Sequence, residues 1–167
     1  MTEASTTPDP VVQRVMEAVT LGHQGDRAGA HDGLQEIWDQ VGDDGDPFHR
    51  CVVAHYLADV AQDPEDELAW DRRALAAALE TTDERAKEHH SSLAIAGFFP
   101  SLHLNLADVL RRLGRFDEAA VHADHTAARV AVLADDGYGA SIREALVDVQ
   151  ALIAAGDTTV RASAPGT

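Results

Sequence analysis

The feature that most limits the fold is a tight turn between two apolar helical segments. Leucines at three- and four-residue spacing end at Leu113-Gly114, and a second helical segment starts within three residues, at Asp117. So short a connection makes two helices run antiparallel as a hairpin. Neither helix buries its apolar side within the pair, so we expect neighbouring hairpins to stack on it.

The composition favours helices over strands along the whole chain. The sequence is 45% hydrophobic, and alanine supplies much of that fraction, while aromatic residues make up only 5%. Alanine is the best helix former, whereas strands depend on β-branched and aromatic residues. At 167 residues the chain suits one domain. We therefore expect an all-α fold.

Capping aspartates, prolines and glycines divide the chain into eight helical segments between two tails. Residues 1–8 and 157–167 lack apolar periodicity and are expected to be disordered, which leaves a single domain at 9–156. Acidic runs at 42–46, 63–67 and 135–136 lack the alternation of a calcium loop and are expected to be turns and N-caps. The predicted segments are approximately 10–23, 27–41, 47–62, 64–80, 82–91, 101–113, 117–134 and 139–155.

The stretch from Leu102 to Ala120 resembles the tetratricopeptide repeat. Ala107, Gly114 and Phe116 stand where that family has a small residue, a turn glycine and an aromatic, and Ala119 follows at the family's alanine position. The resemblance is clear for residues 101–134. It implies antiparallel helical hairpins stacked as a short superhelix, whose usual role is to hold a segment of another protein.

Two weaker copies precede this repeat, one at Ala18, Leu21, Gly25, Ala30 and Leu34 and one at Ala54, Leu57 and Ala61. Gly25 and Ala61 lie 36 residues apart, but Ala61 and Gly114 lie 53 apart, against roughly 34 for adjacent repeats. The surplus falls on 82–100, which we predict to be an insertion or irregular link. The last segment, with its apolar residues at helical spacing, is predicted to be a C-terminal capping helix.

The resemblance also implies a concave groove, lined by the first helix of each repeat. The predicted partner-binding residues are Cys51, His55, Asp59, Leu104, Asn105, Asp108, Arg111 and Arg112. Asn105 stands where peptide-binding members of the family grip a ligand backbone. A clamp for a terminal carboxylate would need more basic residues than Arg111 and Arg112. The alternative is that Asn105 only links neighbouring helices.

Two sets of side chains could carry chemistry instead. Cys51, His55 and Asp59 combine a thiol, an imidazole and a carboxylate, but nothing on successive turns orients the imidazole or supplies an oxyanion hole. His122 and His125, one helical turn apart, could bind a metal ion if His103 or Asp124 joined them, yet no compact metal signature surrounds them. We therefore predict no catalytic residue, no metal and no cofactor, and an enzyme is disfavoured.

The stretch from His89 to His103 is the most unusual in the chain, because it interrupts the repeat. Its imidazole and hydroxyl donors, next to Phe98 and Phe99, could wall a small-molecule pocket. The alternative is an irregular link whose aromatics fill the core.

The charge and the single cysteine narrow the expected partners and compartment. A formal charge of −16 repels phosphates and anionic headgroups, so neither nucleic acid nor a membrane is expected. Cys51 cannot form an internal disulfide, and residues 1–10 lack a basic start and an apolar run, which favours a cytoplasmic location. No apolar stretch approaches the ~20 residues of a spanning helix.

The sequence therefore predicts a non-catalytic scaffold that binds another protein or peptide. The alternative is a small-molecule- or metal-binding enzyme or sensor that uses the histidines between 89 and 125. A homodimer whose groove is filled by its own partner is a third possibility. The identity of the partner is open.

Overall fold

The computed structural model describes residues 9–81 and 95–162, and nearly all of them are helical. This part of the chain contains seven α-helices, one 3₁₀ turn and no strand, and none of its helices has the length and apolar character needed to cross a membrane. The helices are α1 (Pro10–His23), α2 (Arg27–Val41), α3 (Pro47–Val60), α4 (Pro64–Glu80), α5 (Ile95–Arg112), α6 (Phe116–Ala127) and α7 (Gly137–Ala155), with the 3₁₀ turn at Val130–Val132. The predicted all-α class is confirmed, and the predicted helix at 82–91 lies outside the described residues.

Aspartate side chains begin most of these helices. Asp46 accepts hydrogen bonds from the N–H groups of Phe48 at 3.0 Å and His49 at 3.2 Å. Asp63 and Asp136 cap α4 and α7 in the same way, each over 2.8 Å. A carboxylate at this position satisfies free N–H groups and faces the positive end of the helix dipole. Each acidic run thus supplies an N-cap, as predicted.

The structure corrects two predicted helix boundaries. We expected a helix to begin after Pro100, but α5 begins at Ile95 and continues through this proline. Pro100 is buried, and its carbonyl accepts a bond from the Thr126 hydroxyl at 3.3 Å. Packing of α5 on α6 thus offsets the backbone hydrogen bond that proline removes.

The other corrected boundary is the end of α6, which was predicted near Ala134 and lies at Ala127. Beyond it the backbone tightens, and the Leu133 N–H bonds to the Val130 carbonyl at 3.2 Å. This tightening turns Leu133 into the core that α5, α6 and α7 share. Burial of a leucine outweighs the helical spacing that predicted a longer helix.

The helices form three consecutive antiparallel hairpins, α1–α2, α3–α4 and α5–α6, and each hairpin packs on the next. The last helix, α7, packs against α5 and α6, so it closes the stack as predicted. The α5–α6 turn depends on Gly114, whose φ of +74° lies in the left-handed region. A glycine at this point ends α5 and lets α6 begin two residues later.

The hydrophobic core is divided along the stack. The largest cluster joins α1 to α4 around Phe48, and further clusters join α5 to α6 and α7. Trp38 on α2 and Trp70 on α4 pack against the first cluster, with their rings edge to face at 4.9 Å between centroids. This contact between α2 and α4 joins the first hairpin to the second.

Candidate functional site

A cavity of about 470 Å³ lies between α3, α4 and α5 on one side and α7 on the other. We call it the α3–α7 groove, and its volume is in the range of roughly 300–1,000 Å³ typical of ligand pockets. Its lining includes five predicted groove residues: Asp59, Leu104, Asn105, Asp108 and Arg112. The structure thus brings residues from two predicted repeats into one place.

The other three predicted groove residues do not line this cavity. Cys51 is 1% exposed, and burial raises the pKa of its thiol to about 12, so it stays a protonated core residue. The Nδ1 atom of His55 is buried and has no hydrogen-bond partner among the described residues. Arg111 is fully buried within the helix stack. The thiol of Cys51, the imidazole of His55 and the carboxylate of Asp59 therefore do not form an activated nucleophile.

Ion pairs between α4 and α5 form the floor of the groove. Arg112 bonds to Glu67 on α4 and, at 3.1 Å, to Asp108 one turn earlier on α5. Arg111 donates to the other Asp108 oxygen at 2.8 Å. Each of the two guanidinium groups therefore already has a carboxylate partner, and the Arg112–Glu67 pair holds α5 against α4.

The chain beyond α7 forms one wall of the groove. Arg111 donates a 2.6 Å hydrogen bond to the backbone carbonyl of Asp157. Arg161 donates to the Ala145 carbonyl at 3.3 Å, and both Arg161 and Val160 line the cavity. Asp157 to Ala162 belong to the segment predicted as a tail, and in the structure they contact α5 and α7.

Sequence reasoning missed several polar residues of this site. Arg27, Glu67 and Arg161 line the groove, and Asp71 lies behind it with 1% exposure. The sequence does carry a signal for Asp71, because it stands three residues after Leu68 on the buried side of α4. A carboxyl in an apolar stripe of a helix indicates either a buried pair or a functional group.

Burial raises the pKa of three carboxyl groups at the groove. The pKa of Asp59 is raised by burial, in spite of nearby His55 and Arg27. Burial also raises the pKa of Glu67, although Arg112 bonds to it. For Asp71 burial is again the largest cause, and the charges of Glu67 and Asp59 raise its pKa further, well above 3.8. Burial thus favours the neutral form of these carboxyl groups.

The histidines predicted as a possible metal site lie together between α5 and α6. The Nδ1 atoms of His103 and His122 are 2.9 Å apart, and the ring of His103 stacks on that of His125 at 4.7 Å between centroids. Arg129 lies 3.2 Å from the Nδ1 atom of His125. Among the residues that the structure describes, no group of three His, Cys, Asp or Glu side chains is arranged to hold a metal ion.

Packing also lowers the pKa of two members of the histidine cluster, which consists of His103, His122 and His125. Burial lowers the pKa of His103 to about 4, with further contributions from His122, His125 and Arg129. Burial lowers the pKa of His122 as well. One of the two facing nitrogens must donate and the other accept, which two neutral rings can do. Near neutral pH the rings of His103 and His122 are therefore neutral, and they pack at the α5–α6 contact.

The structure describes only part of the stretch from His89 to His103, which the sequence marked as unusual. The ring of Phe99 stacks on that of His103 at 6.3 Å between centroids and packs against the N-terminal core cluster. This aromatic thus fills space between α5 and its neighbours, as one of the two interpretations expects. His89, His90 and the Phe98 side chain lie outside the described residues.

Comparison with known proteins found no matching family model, no matching curated protein and no matching solved structure. The function must therefore be argued from the geometry of the α3–α7 groove and from the sequence resemblance.

Proposed function

We propose that the chain is a non-catalytic scaffold of the tetratricopeptide type, which holds a segment of another protein in the α3–α7 groove. One observation carries the proposal: side chains of α3, α4, α5 and α7 and of the C-terminal segment converge on one open cavity. A groove built from several stacked helices is the binding surface that helical-repeat proteins use.

The polar groups of the groove support binding better than catalysis. Arg112, Asp108 and Glu67 are bonded to one another, so they are held in place by structural pairs. Cys51, the only thiol of the chain, is buried and protonated. Neither these ion-paired side chains nor Cys51 supplies a nucleophile next to a base, which covalent catalysis needs.

Selection from a library of short random peptides displayed on phage tests this proposal. The native chain should enrich a family of related peptides that bind saturably in isothermal titration. Ser141→Trp should abolish this binding, because Ser141 lines the groove and an indole there fills it. Glu144→Trp is the matched control, since Glu144 is an exposed residue of α7 outside the groove. Failure to enrich any peptide, or equal binding by both variants, refutes the proposal.

The second candidate is a metal- or small-molecule-binding sensor built on the histidine cluster. The close approach of the His103 and His122 nitrogens favours it, since imidazole nitrogens are common zinc ligands. Elemental analysis of protein purified without a histidine tag is the test. Stoichiometric metal that disappears in His103→Ala and His122→Ala would support the sensor, whereas metal-free native protein excludes its metal form.

A further inference from the structure

The chain turns back along α7 after that helix ends. Gly156, with a φ of +63°, closes the helix, and the Asp157 N–H bonds at 2.9 Å to a carbonyl in its last turn. Arg161 donates a hydrogen bond to the carbonyl of Ala145, which lies about 15 Å before the end of the helix. The segment 157–162 therefore runs back along α7, and it has no helix or strand structure of its own.

This segment supplies part of the α7 side of the α3–α7 groove. Val160 and Arg161 line the cavity next to three residues of α7, which are Ser141, Ile142 and Ala145. Two of the five lining residues on this side thus belong to a segment that is not part of a helix. A partner that lies along α7 in the groove has to share this space with the segment.

The segment is held firmly at its start and less firmly farther on. Arg111 is fully buried, and its 2.6 Å bond fixes the Asp157 carbonyl. The hydrogen bond from Arg161 to the Ala145 carbonyl is 3.3 Å long, and Val160 is 61% exposed. Exposed backbone with little buried apolar surface opens at a low cost in free energy. The residues after Asp157 can therefore separate from α7 while Asp157 stays in place.

A local turn shapes the segment independently of the groove. The N–H group and the hydroxyl of Thr159 both donate to one carboxylate oxygen of Asp157, each over 2.7 Å. Both bonds join residues of the segment itself, so they persist when the segment separates from α7. Asp157 and Thr159 thus form a preshaped hinge between the fixed helix end and the part of the segment that lines the groove.

We propose that residues 158–162 form a C-terminal strap, which covers part of the α3–α7 groove and moves away from α7, hinged at Asp157, when a partner segment binds. This inference rests on the proposed scaffold function and names a regulation of its site. The strap and the partner compete for the same side of the groove. The free energy of opening the strap is therefore subtracted from that of binding, and the apparent dissociation constant of the native chain is raised accordingly.

Loosening the strap should strengthen the binding of phage-selected peptides. The double variant Val160→Gly, Arg161→Gln removes the apolar side chain and the donor to Ala145, and isothermal titration should give about fivefold tighter binding. Arg72→Gln, at an exposed arginine of α4 outside the groove, is the matched control and should bind as the native chain does. Unchanged or weaker binding by the double variant would show that the segment is a fixed wall, and would overturn the proposal.

Fluorine NMR observes the strap itself and needs no partner. A trifluoromethyl label on Val160→Cys reacts at this position alone, because Cys51 is 1% exposed and its thiol pKa is about 12. The label should resonate away from its position in a free synthetic peptide of residues 157–167. Arg161→Gln should move the signal towards that free position, whereas Arg72→Gln should leave it in place. A signal already at the free position in the chain without further substitution refutes the strap.

Titration of a selected peptide into the labelled chain connects the two measurements. The signal should move to the free position as the groove fills, with the same dissociation constant as in calorimetry. A peptide that saturates the groove without moving the signal refutes the strap and leaves the scaffold intact. Absence of any selected peptide refutes the scaffold itself, and with it the regulatory role of the strap.

Discussion

Arg111, on the buried side of α5, donates a 2.6 Å hydrogen bond to the backbone carbonyl of Asp157, beyond the end of α7. The same guanidinium bonds to Asp108 on its own helix. One side chain thus fixes the C-terminal segment to the centre of the stack. The sequence resemblance expected Arg111 to face a partner, and the structure instead gives it an internal role.

Arg111→Met should therefore destabilise the fold. The substitution leaves the Asp157 carbonyl unpaired and removes one partner of Asp108, so we expect a loss of about 3 kcal/mol in the free energy of unfolding. Urea denaturation followed by circular dichroism measures it. Arg115→Met, at an exposed pair with Glu118, is the control and should change the stability far less. Equal effects of the two variants would contradict an internal role for Arg111.

Asp71→Leu should have the opposite effect on stability. It replaces an unpaired carboxyl in the apolar stripe of α4, so we expect a gain of about 1 kcal/mol. The folded-state pKa of Asp71 lies above its ordinary value of 3.8, so the native chain loses stability as pH rises from 3.8 towards that higher pKa. The gain in the variant should grow over the same pH range. Asp148→Leu on the exposed face of α7 provides the comparison in urea denaturation.

The low pKa of His103 leads us to expect a second pH dependence of stability, with the opposite sign: stability should rise with pH. Because burial lowers the His103 pKa from 6.5 to about 4, the unfolded chain binds a proton there more readily than the native chain. Stability is fully present above pH 6.5 and should fall by about 2 kcal/mol as pH decreases towards 4. His103→Leu should flatten this part of the unfolding profile, whereas His31→Leu, at an exposed imidazole, should not. If the unfolding free energy of His103→Leu depended on pH as steeply as that of the native chain, His103 would not be the source of the acid destabilisation.

The α5–α6 turn allows a test of backbone conformation. A Cβ at Gly114 meets no atom within 4 Å, so Gly114→Ala is strained only by its φ of +74° and should cost about 1 kcal/mol. Gly33 lies inside α2, and a Cβ there makes an ordinary 3.5 Å contact with Ala18. Gly33→Ala should stabilise the chain by about 0.5 kcal/mol. Thermal unfolding of both variants separates turn conformation from helix propensity.

Local signals account for the parts of the fold that were predictable. Asp9 with Pro10, and Asp26 with Arg27, begin α1 and α2 at the residues where caps and a proline predict them. Pro100 misled the prediction of α5, because tertiary packing at this proline outweighs a local rule. How deeply a residue such as Pro100 is buried depends on neighbours far away in sequence, and local periodicity carries no information about them.

The candidate site shows the same division. Helical spacing placed Asp59, Leu104 and Asp108 on the groove side, and they do line one cavity. Arg111 and Arg112 are adjacent in sequence, yet the first is buried and the second faces the groove. Arg161 reaches the groove from beyond α7, and only the folding back of the chain brings it there. Such long-range contacts were beyond the reach of spacing arguments.

The edge-to-face pair of Trp38 and Trp70 contains both tryptophans of the chain. Its fluorescence is therefore a local reporter for the α2–α4 contact, and it is silent about α5, α6 and α7. Ellipticity at helical wavelengths, in contrast, averages over the whole stack. In a fold whose hairpins contact mainly their neighbours, the two signals need not change together. Any separation between their denaturation midpoints measures how strongly the two ends of the stack are thermodynamically coupled.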